Sequence, residues 1–273
     1  MKSLPTGALV VLLAIAAAGR LSAQYQRQPG DTLRYREVLR TYITVESPQG
    51  TIPLTVLQDA TIALTFGAGD TATAWYEALA IALQTPSGDQ RPEATAALRQ
   101  PFILKFDARG RVATLRAPQF PASFEDVSDL TKQFFDYFPR LPSDFDLSRG
   151  RAWSDTVVQP DSGPGGRTFL YRRTIDCRVV GDTTVDGEPG RLVETRQHVQ
   201  LSGVGPVRDQ PLTALNELSG VDRGVFVFSS TRGRLLSRAR SGVLLGTITY
   251  VGATQRVVLR ERFAYTNTVD RVP

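Results

Sequence analysis

The sequence predicts a mainly β fold with some α structure: a curved antiparallel sheet, or half-barrel, in two similar halves, with one amphipathic helix packed on or between them. Three observations predict it. Apolar residues recur with a period of two over most of the chain, the spacing of half-buried strands. Short clusters rich in Gly, Pro, Ser and Asp interrupt that alternation where turns are needed. A single stretch carries aromatic residues at intervals of three and four, the spacing of one helix face.

The chain opens with Lys2, an apolar run from Ala8 to Ala18, and the small residues Ser22-Ala23 before Gln24, the layout of a secretory signal peptide over residues 1–23. The apolar run is short of the roughly 20 residues that span a bilayer. Leu21 stands where a small residue is usual three positions before the cut, and a retained N-terminal anchor is the alternative. Export predicts a periplasmic or extracellular location. Cys177 is the only cysteine, so no internal disulfide forms and the fold must rest on its core. Loss of Lys2 and Arg20 with the leader takes 32 basic residues to 30 against 27 acidic ones, a net of +3. That small excess fits an ordinary solvated surface better than a polyanion-binding one.

From Leu33 to Val45, one face reads Leu33, Tyr35, Leu39, Ile43 and Val45, and the other carries Arg34, Arg36, Arg40, Tyr42 and Thr44. This is a long strand with one wet face. Ser47-Pro48-Gln49-Gly50 turns the chain into a return strand running through Ile52 to Phe66, and Gly67-Ala68-Gly69-Asp70 makes the next turn. Ala and Leu in Thr73–Gln84 favour helix, but the flanking turns favour a strand, which is the expectation. Phe102–Phe106 and Val112–Leu115 form a hairpin whose tip is Arg109-Gly110-Arg111; Val225–Phe228 and Leu235-Leu236 repeat it around Arg232-Gly233-Arg234. Ser123, with Asp126 three residues on, caps a helix whose stripe is Phe124, Val127, Leu130, Phe134 and Phe138, widened by Phe135 and stopped by Pro139. Leu212–Leu218 is a second, shorter helix candidate ended by Gly220. Ile175, Cys177 and Val179 alternate with polar residues before a loop from Gly181 to Gly190, and Val243–Val251 and Arg256–Tyr265 are two further strands. Gln159–Gly166 reads as a surface loop. The organisation is then a leader, a β-rich half over 24–142 ending in the aromatic helix 123–138, and a second β-rich half over 143–273.

Much chemistry is excluded. One histidine, His198, and one cysteine cannot build a His/Cys metal site, and no His-Glu-x-x-His, paired Cys-x-x-Cys, phosphate-binding loop or nucleophile elbow occurs. His198 shares strand parity with Glu194, Arg196 and Gln200 on a polar face, and Cys177 alternates into the apolar one. No catalytic residue, metal ligand or cofactor is assigned. Acid pairs leave little trace in sequence, so a hydrolase built on two carboxylates stays open as the less favoured alternative; Asp126 and Asp129 are accounted for by helix capping, and Asp144 and Asp146 face solvent. The three Arg-Gly-Arg copies are far apart and embedded in strand patterns, unlike clustered RNA-binding tracts, so they mark turns, and no nucleic acid is expected as a partner.

Leu141-Pro142, the extended Phe145 and Leu147, Gly150 and Trp153 resemble a segment in a family of uncharacterised exported bacterial proteins, in which a Leu-Pro is followed by a glycine turn and a tryptophan opening the next strand. Arg149 and Arg151 and one extra residue before the glycine depart from that pattern. The resemblance, close over about fifteen residues, implies a fold like the lipoprotein-carrier β half-barrels and a binding role. Helical aromatic spacing predicts a solid core under the sheet, with a lid over a hydrophobic pocket as the alternative. The expected activity is non-enzymatic: binding of an apolar or lipid-like ligand, or an envelope protein, beside the curved sheet through Phe134, Phe135, Phe138 and Trp153, with any membrane association peripheral. The alternative is an interaction module whose Arg34, Arg36, Arg40, Arg256, Arg260 and Arg262 contact anionic envelope components.

Overall fold

The computed structural model describes Tyr25 and residues 30–67, 69–118, 133–162, 168–207 and 210–272. The expected leader, the capping Ser123 and the greater part of the 123–138 helix lie outside the described residues.

Alternation with a period of two becomes one antiparallel sheet of twelve strands. In chain order these are β1 (Thr32–Ser47), β2 (Gly50–Phe66), β3 (Thr71–Thr85), β4 (Gly88–Gln90), β5 (Phe102–Phe106) and β6 (Val112–Arg116), then β7 (Ala152–Ser162), β8 (Thr168–Val185), β9 (Glu188–Pro206), β10 (Thr213–Ser229), β11 (Arg234–Val251) and β12 (Arg256–Val272). The spatial order is β6-β5-β3-β2-β1-β12-β11-β10-β9-β8-β7, with the short β4 beside β3. Each half of the chain therefore supplies one block of the sheet, and the blocks are joined where β1 pairs with β12, from Arg34↔Val272 to Glu46↔Arg260.

Several elements differ from expectation. Leu212–Leu218 is not a helix but the start of β10: its inward face places polar Asn216 between Ala214 and Leu218 while apolar Leu215 faces outward, which blurs the strand alternation. The broad loop expected over Gly181–Gly190 is a two-residue turn between long strands, with Asp186 at φ 48 and Gly187 at φ 79. Both central residues of such a turn need positive φ, which Asp-Gly supplies at little cost. The expected surface loop begins later than Gln159, because β7 runs to Ser162. Of the aromatic helix, the described part is one 3-10 turn, Gln133–Asp136. Thr73–Gln84 is a strand as expected, and the two Arg-Gly-Arg hairpins are present as β5–β6 and β10–β11.

The sheet curls until its two ends nearly meet. Arg109, in the β5–β6 turn, places Nη2 3.6 Å from Asp155 Oδ2 on β7, although β6 and β7 are opposite edges of the sheet. The segment after the 3-10 turn is wrapped inside this curl. Phe134 packs edge-on to Phe102 with ring centroids 4.8 Å apart, Phe138 stacks on Phe106 at 5.1 Å, and Tyr137 meets Tyr35 at 5.5 Å. Leu141 and Leu147 are also buried there, beside Val179, Val193, Phe226, Phe228 and Val269 from the second half. Each large side chain buried in this way stabilises the fold by about 1.5–3 kcal/mol. Toward the far end the inner face opens, and Ile52 and Val257, which point inward by strand parity, are exposed.

The convex face is charged at mid-strand. Arg40 on β1, Arg196 on β9, Arg223 on β10 and Arg262 on β12 all point outward and are exposed. A barrel facing lipid needs an apolar outer band, and an arginine near the bilayer midplane costs about 2–4 kcal/mol. The same outward face also carries exposed apolar side chains, among them Tyr42, Leu215, Val225, Leu245 and Val258. Among the described residues no helix is long and apolar enough to cross a membrane.

Candidate ligand-binding site

The four aromatic residues expected at the site separate into two roles. Phe134 and Phe138 are solid core, packed on β5 and, for Phe138, on Tyr25 as well. Phe135 points the other way. Its ring lies 3.6 Å from the Arg173 guanidinium and lines both a small internal cavity and a larger cleft. Trp153 opens β7, is partly buried against the core, and donates from Nε1 to the Arg140 carbonyl at 3.1 Å. The resemblance segment thus runs from the buried Leu141 through the Gly150 turn to a tryptophan that fixes the backbone of Arg140.

The cleft, of about 810 Å³, lies along the seam between the β5–β6 hairpin and β7. Its apolar walls are Val112 from one edge strand, Val157, Val158 and Pro160 from the other, and Phe135 from below. Among the described residues neither β6 nor β7 pairs with a further strand. Pro160 suits such an edge because it has no N–H to offer a neighbour. Leu115 on β6, 59% exposed, and Val158 on β7, 56% exposed, are two of the three most exposed large apolar side chains among the described residues. Each edge strand of the seam thus carries one strongly exposed apolar side chain, although others, such as Leu245 and Val258, are exposed elsewhere on the sheet.

Charge enters the cleft from one end. Arg140 is only 7% exposed; its Nε donates to Asp155 Oδ2 at 2.8 Å and its Nη2 pairs with the same oxygen. Its Nη1 is buried with no hydrogen-bond partner among the described residues. Arg109 approaches Asp155 from the other side while donating from Nε to the Leu141 carbonyl at 3.2 Å. Lys105 is paired with Asp70, and Asp107 accepts the backbone N–H groups of Arg109 and Arg111. Two guanidiniums thus share Asp155, and with Arg111 and Asp107, which also line the cleft, three arginines stand against two carboxylates where the apolar walls begin.

Sequence reasoning missed the polar cluster beneath this site. Asp136 Oδ2 accepts from Arg240 at 2.7 Å and from Asn267 at 3.1 Å, and Arg238 Nη1 lies 3.2 Å from Asp136 Oδ1. Arg240 also donates to Asp222 at 2.8 Å and to the Tyr265 hydroxyl at 3.1 Å. Glu37 accepts from Asn267 at 2.8 Å and Tyr137 at 2.9 Å. Burial raises the Asp136 carboxyl, but Arg240, Arg238 and Arg173 together hold it below its ordinary range. Burial, and then the nearby Asp136 charge, pushes Glu37 up to about 7. Burial lowers Arg173 to about 10, helped by Arg240 beside it. The signal that could have found this cluster is parity: Glu37 falls on the Tyr35–Leu39 face, and Asn267 on that of Tyr265 and Val269.

The cluster resembles an acid pair but is sealed. Glu37 and Asp136 are 0% and 1% exposed, so no substrate reaches them, and Asp136 is occupied by arginines. Asp126 and Asp129 lie outside the described residues; Asp144 and Asp146 are exposed, each accepting a backbone N–H two residues on. Cys177 is buried, and desolvation pushes its thiol up to about 12, the opposite of an activated nucleophile. His198 sits on the exposed face. Among the described residues no group of three or more His, Cys, Asp or Glu is placed to hold a metal ion.

No protein-family model matches the chain, and no curated protein matches it. Solved structures align with it along nearly the whole chain, but loosely. Neisserial surface protein A aligns over 88% of this chain and 97% of its own at 8% identity and TM-score 0.25. Pseudomonas aeruginosa OccK2 in complex with glucuronate aligns over 93% and 99% at 9% identity and TM-score 0.23, and OccK11 of the same organism over 92% and 100% at 8% and 0.23. Superpositions this loose reflect antiparallel strands in general and carry no argument about function.

Proposed function

We propose that this protein is an exported, non-enzymatic binding protein of the cell envelope, periplasmic or extracellular, which takes an apolar, lipid-like ligand in the cleft between β6 and β7. One observation carries the reading: the sheet stops short of closing, and the gap of about 810 Å³ is walled by Val112, Val157, Val158, Phe135 and Pro160. Clefts of this size, mostly apolar with a few placed polar groups, are the usual form of small-molecule sites. The half-barrel resemblance of the Leu141–Trp153 segment is in keeping with it, and the exposed arginines at mid-strand, Arg40, Arg196, Arg223 and Arg262, are costly in a lipid-facing wall.

The test uses the purified mature protein. Organic extraction and native mass spectrometry are expected to reveal bound lipid, and a hydrophobic dye to bind with micromolar affinity. Val157→Trp, which fills the cleft, is expected to weaken dye binding at least tenfold with little loss of stability. No bound lipid, together with dye affinity unchanged by Val157→Trp, sinks the proposal.

A second reading is favoured by the outer surface. Arg34 and Arg36 are paired with Glu77 and Asp59, but Arg40, Arg260 and Arg262 are exposed and unpaired among the described residues. A shallow groove of about 920 Å³ on the same face is lined by Arg178, Arg196 and Arg223. These arginines suit an anionic envelope component. Charge reversal at Arg196 and Arg223 that leaves pull-down partners unchanged would defeat this reading.

A further inference from the structure

We infer that the cleft selects an amphiphile with a single anionic head, a carboxylate or a phosphate, held by Arg140 and Arg109 at one end while its chain lies along the β6–β7 seam. This rests on the binding role proposed above and adds the class of ligand. Arg140 is more than nine-tenths buried, Nη1 itself included, so water screens its charge only in part. The orphaned donor, Nη1, belongs to a residue that lines the cleft. At this end Arg140 and Arg111, which line the cleft, and Arg109 behind them stand against the carboxylates of Asp107 and Asp155, so an anion entering here meets one excess positive charge in a partly desolvated setting. There a charge-assisted hydrogen bond is about twice as strong as a neutral one.

The rest of the cleft fits the remainder of such a molecule. From Thr156 to Pro160 the β7 edge runs about 13 Å at roughly 3.3 Å per residue, enough for much of an acyl chain. Phe135 forms the floor, and its far side is capped by Arg173, so the ring is held in place from below. Trp153 acts as a positioning residue, since its hydrogen bond to the Arg140 carbonyl holds that backbone against β7.

The test compares palmitate, its uncharged methyl ester and palmitoyl lysophosphatidate by displacement of a hydrophobic dye from the delipidated mature protein. Palmitate or the lysophosphatidate should bind at least tenfold more tightly than methyl palmitate, and the tighter of the two identifies the head as carboxylate or phosphate. Arg109→Gln should erase most of that preference, lowering the affinity for the acids far more than that for the ester; Arg140→Gln should erase all of it. Should Arg140→Gln fail to fold, the ester comparison and Arg109→Gln still decide. Equal binding of ester and acids, unmoved by Arg109→Gln, overturns the anionic head while the lipid-binding role stands. Failure of all three ligands and of the dye overturns both.

Discussion

Glu37 shows how much a single position can hide. Its strand parity with Tyr35 and Leu39 puts a carboxyl into the core, where Tyr137 and Asn267 replace its water. A buried carboxyl raised from 4.5 to about 7 binds its proton more tightly folded than unfolded. Its contribution to stability is then fully present below pH 4.5 and is lost as pH rises to about 7, by up to about 3 kcal/mol. Glu261, raised to about 7 by burial, acts in the same direction. Asp136, held low by its arginines, acts in the opposite one, and its contribution disappears only as pH falls below the ordinary carboxylate range. The urea midpoint should therefore be higher at pH 5 than at pH 8, and Glu37→Gln should remove Glu37's share of that difference by stabilising the protein at pH 8, leaving the share of Glu261. A midpoint that is level or rises between those values would show that Glu37 is ionised in the fold throughout. Sequence alone assigned Glu37 to neither face of its strand, because it cannot see that Arg240, Asp222 and Asp136 come together from distant segments as donor and acceptors.

At the scale of the element, hairpins were legible wherever glycine and its neighbours dictate a turn, and obscure wherever the inward face is not apolar. The β5–β6 tip shows a further demand that local reading does not reach. Gly110 has φ 84, which already favours glycine, but a methyl group there would also stand 2.6 Å from the Pro139 carbonyl oxygen and 2.8 Å from the Tyr25 ring. Gly150, in another Arg-Gly-Arg, has the same φ of 84 and nothing within 4 Å of that position. Gly150→Ala should thus cost only the backbone term, about 1–2 kcal/mol. Gly110→Ala should cost more, by about 1–3 kcal/mol for displaced core packing, and should also perturb Arg109 and the cleft. Denaturant midpoints of the two variants separate these contributions, and equal losses would show that the hairpin tip does not press on Pro139. The start of β10, by contrast, reads as helical because its inward Asn216 is polar and its outward Leu215 apolar, while its partner Gly246, opposite Leu218, has no room for a side chain: a Cβ there would stand 1.8 Å from the Glu217 carbonyl oxygen. Small residues there serve packing between strands and leave little alternation to read.

For the whole molecule, two β-rich halves were legible from the turn spacing, while the closure that unites them was not, because nothing local in β1 or β12 says that the first and last strands pair. That pairing determines how the chain stabilises itself. Tyr35 donates from its hydroxyl to the Leu235 carbonyl at 3.0 Å, across 200 residues, and Tyr25 packs on Phe228 at 5.1 Å. The interior cluster draws on β1, β2, β3 and β5 as well as β8, β9, β10, β11 and β12, so neither half encloses a core by itself. Removing the β1–β12 ladder would expose two long strand edges, which aggregate unless another strand covers them. Produced separately, residues 24–142 and 143–273 should each lack a cooperative thermal transition and bind hydrophobic dye non-specifically. Mixed at equal concentration from denaturant, they should recover a sharp transition, because the ladder and shared core supply the interface. Such an association is slow when its contacts are distant in sequence, so recovery should depend on concentration and outlast the formation of strand signal in far-UV circular dichroism. A cooperative transition in either fragment alone would mean that the halves are independent domains, and the seam between β6 and β7 would then be a boundary between them instead of the mouth of a single curled sheet.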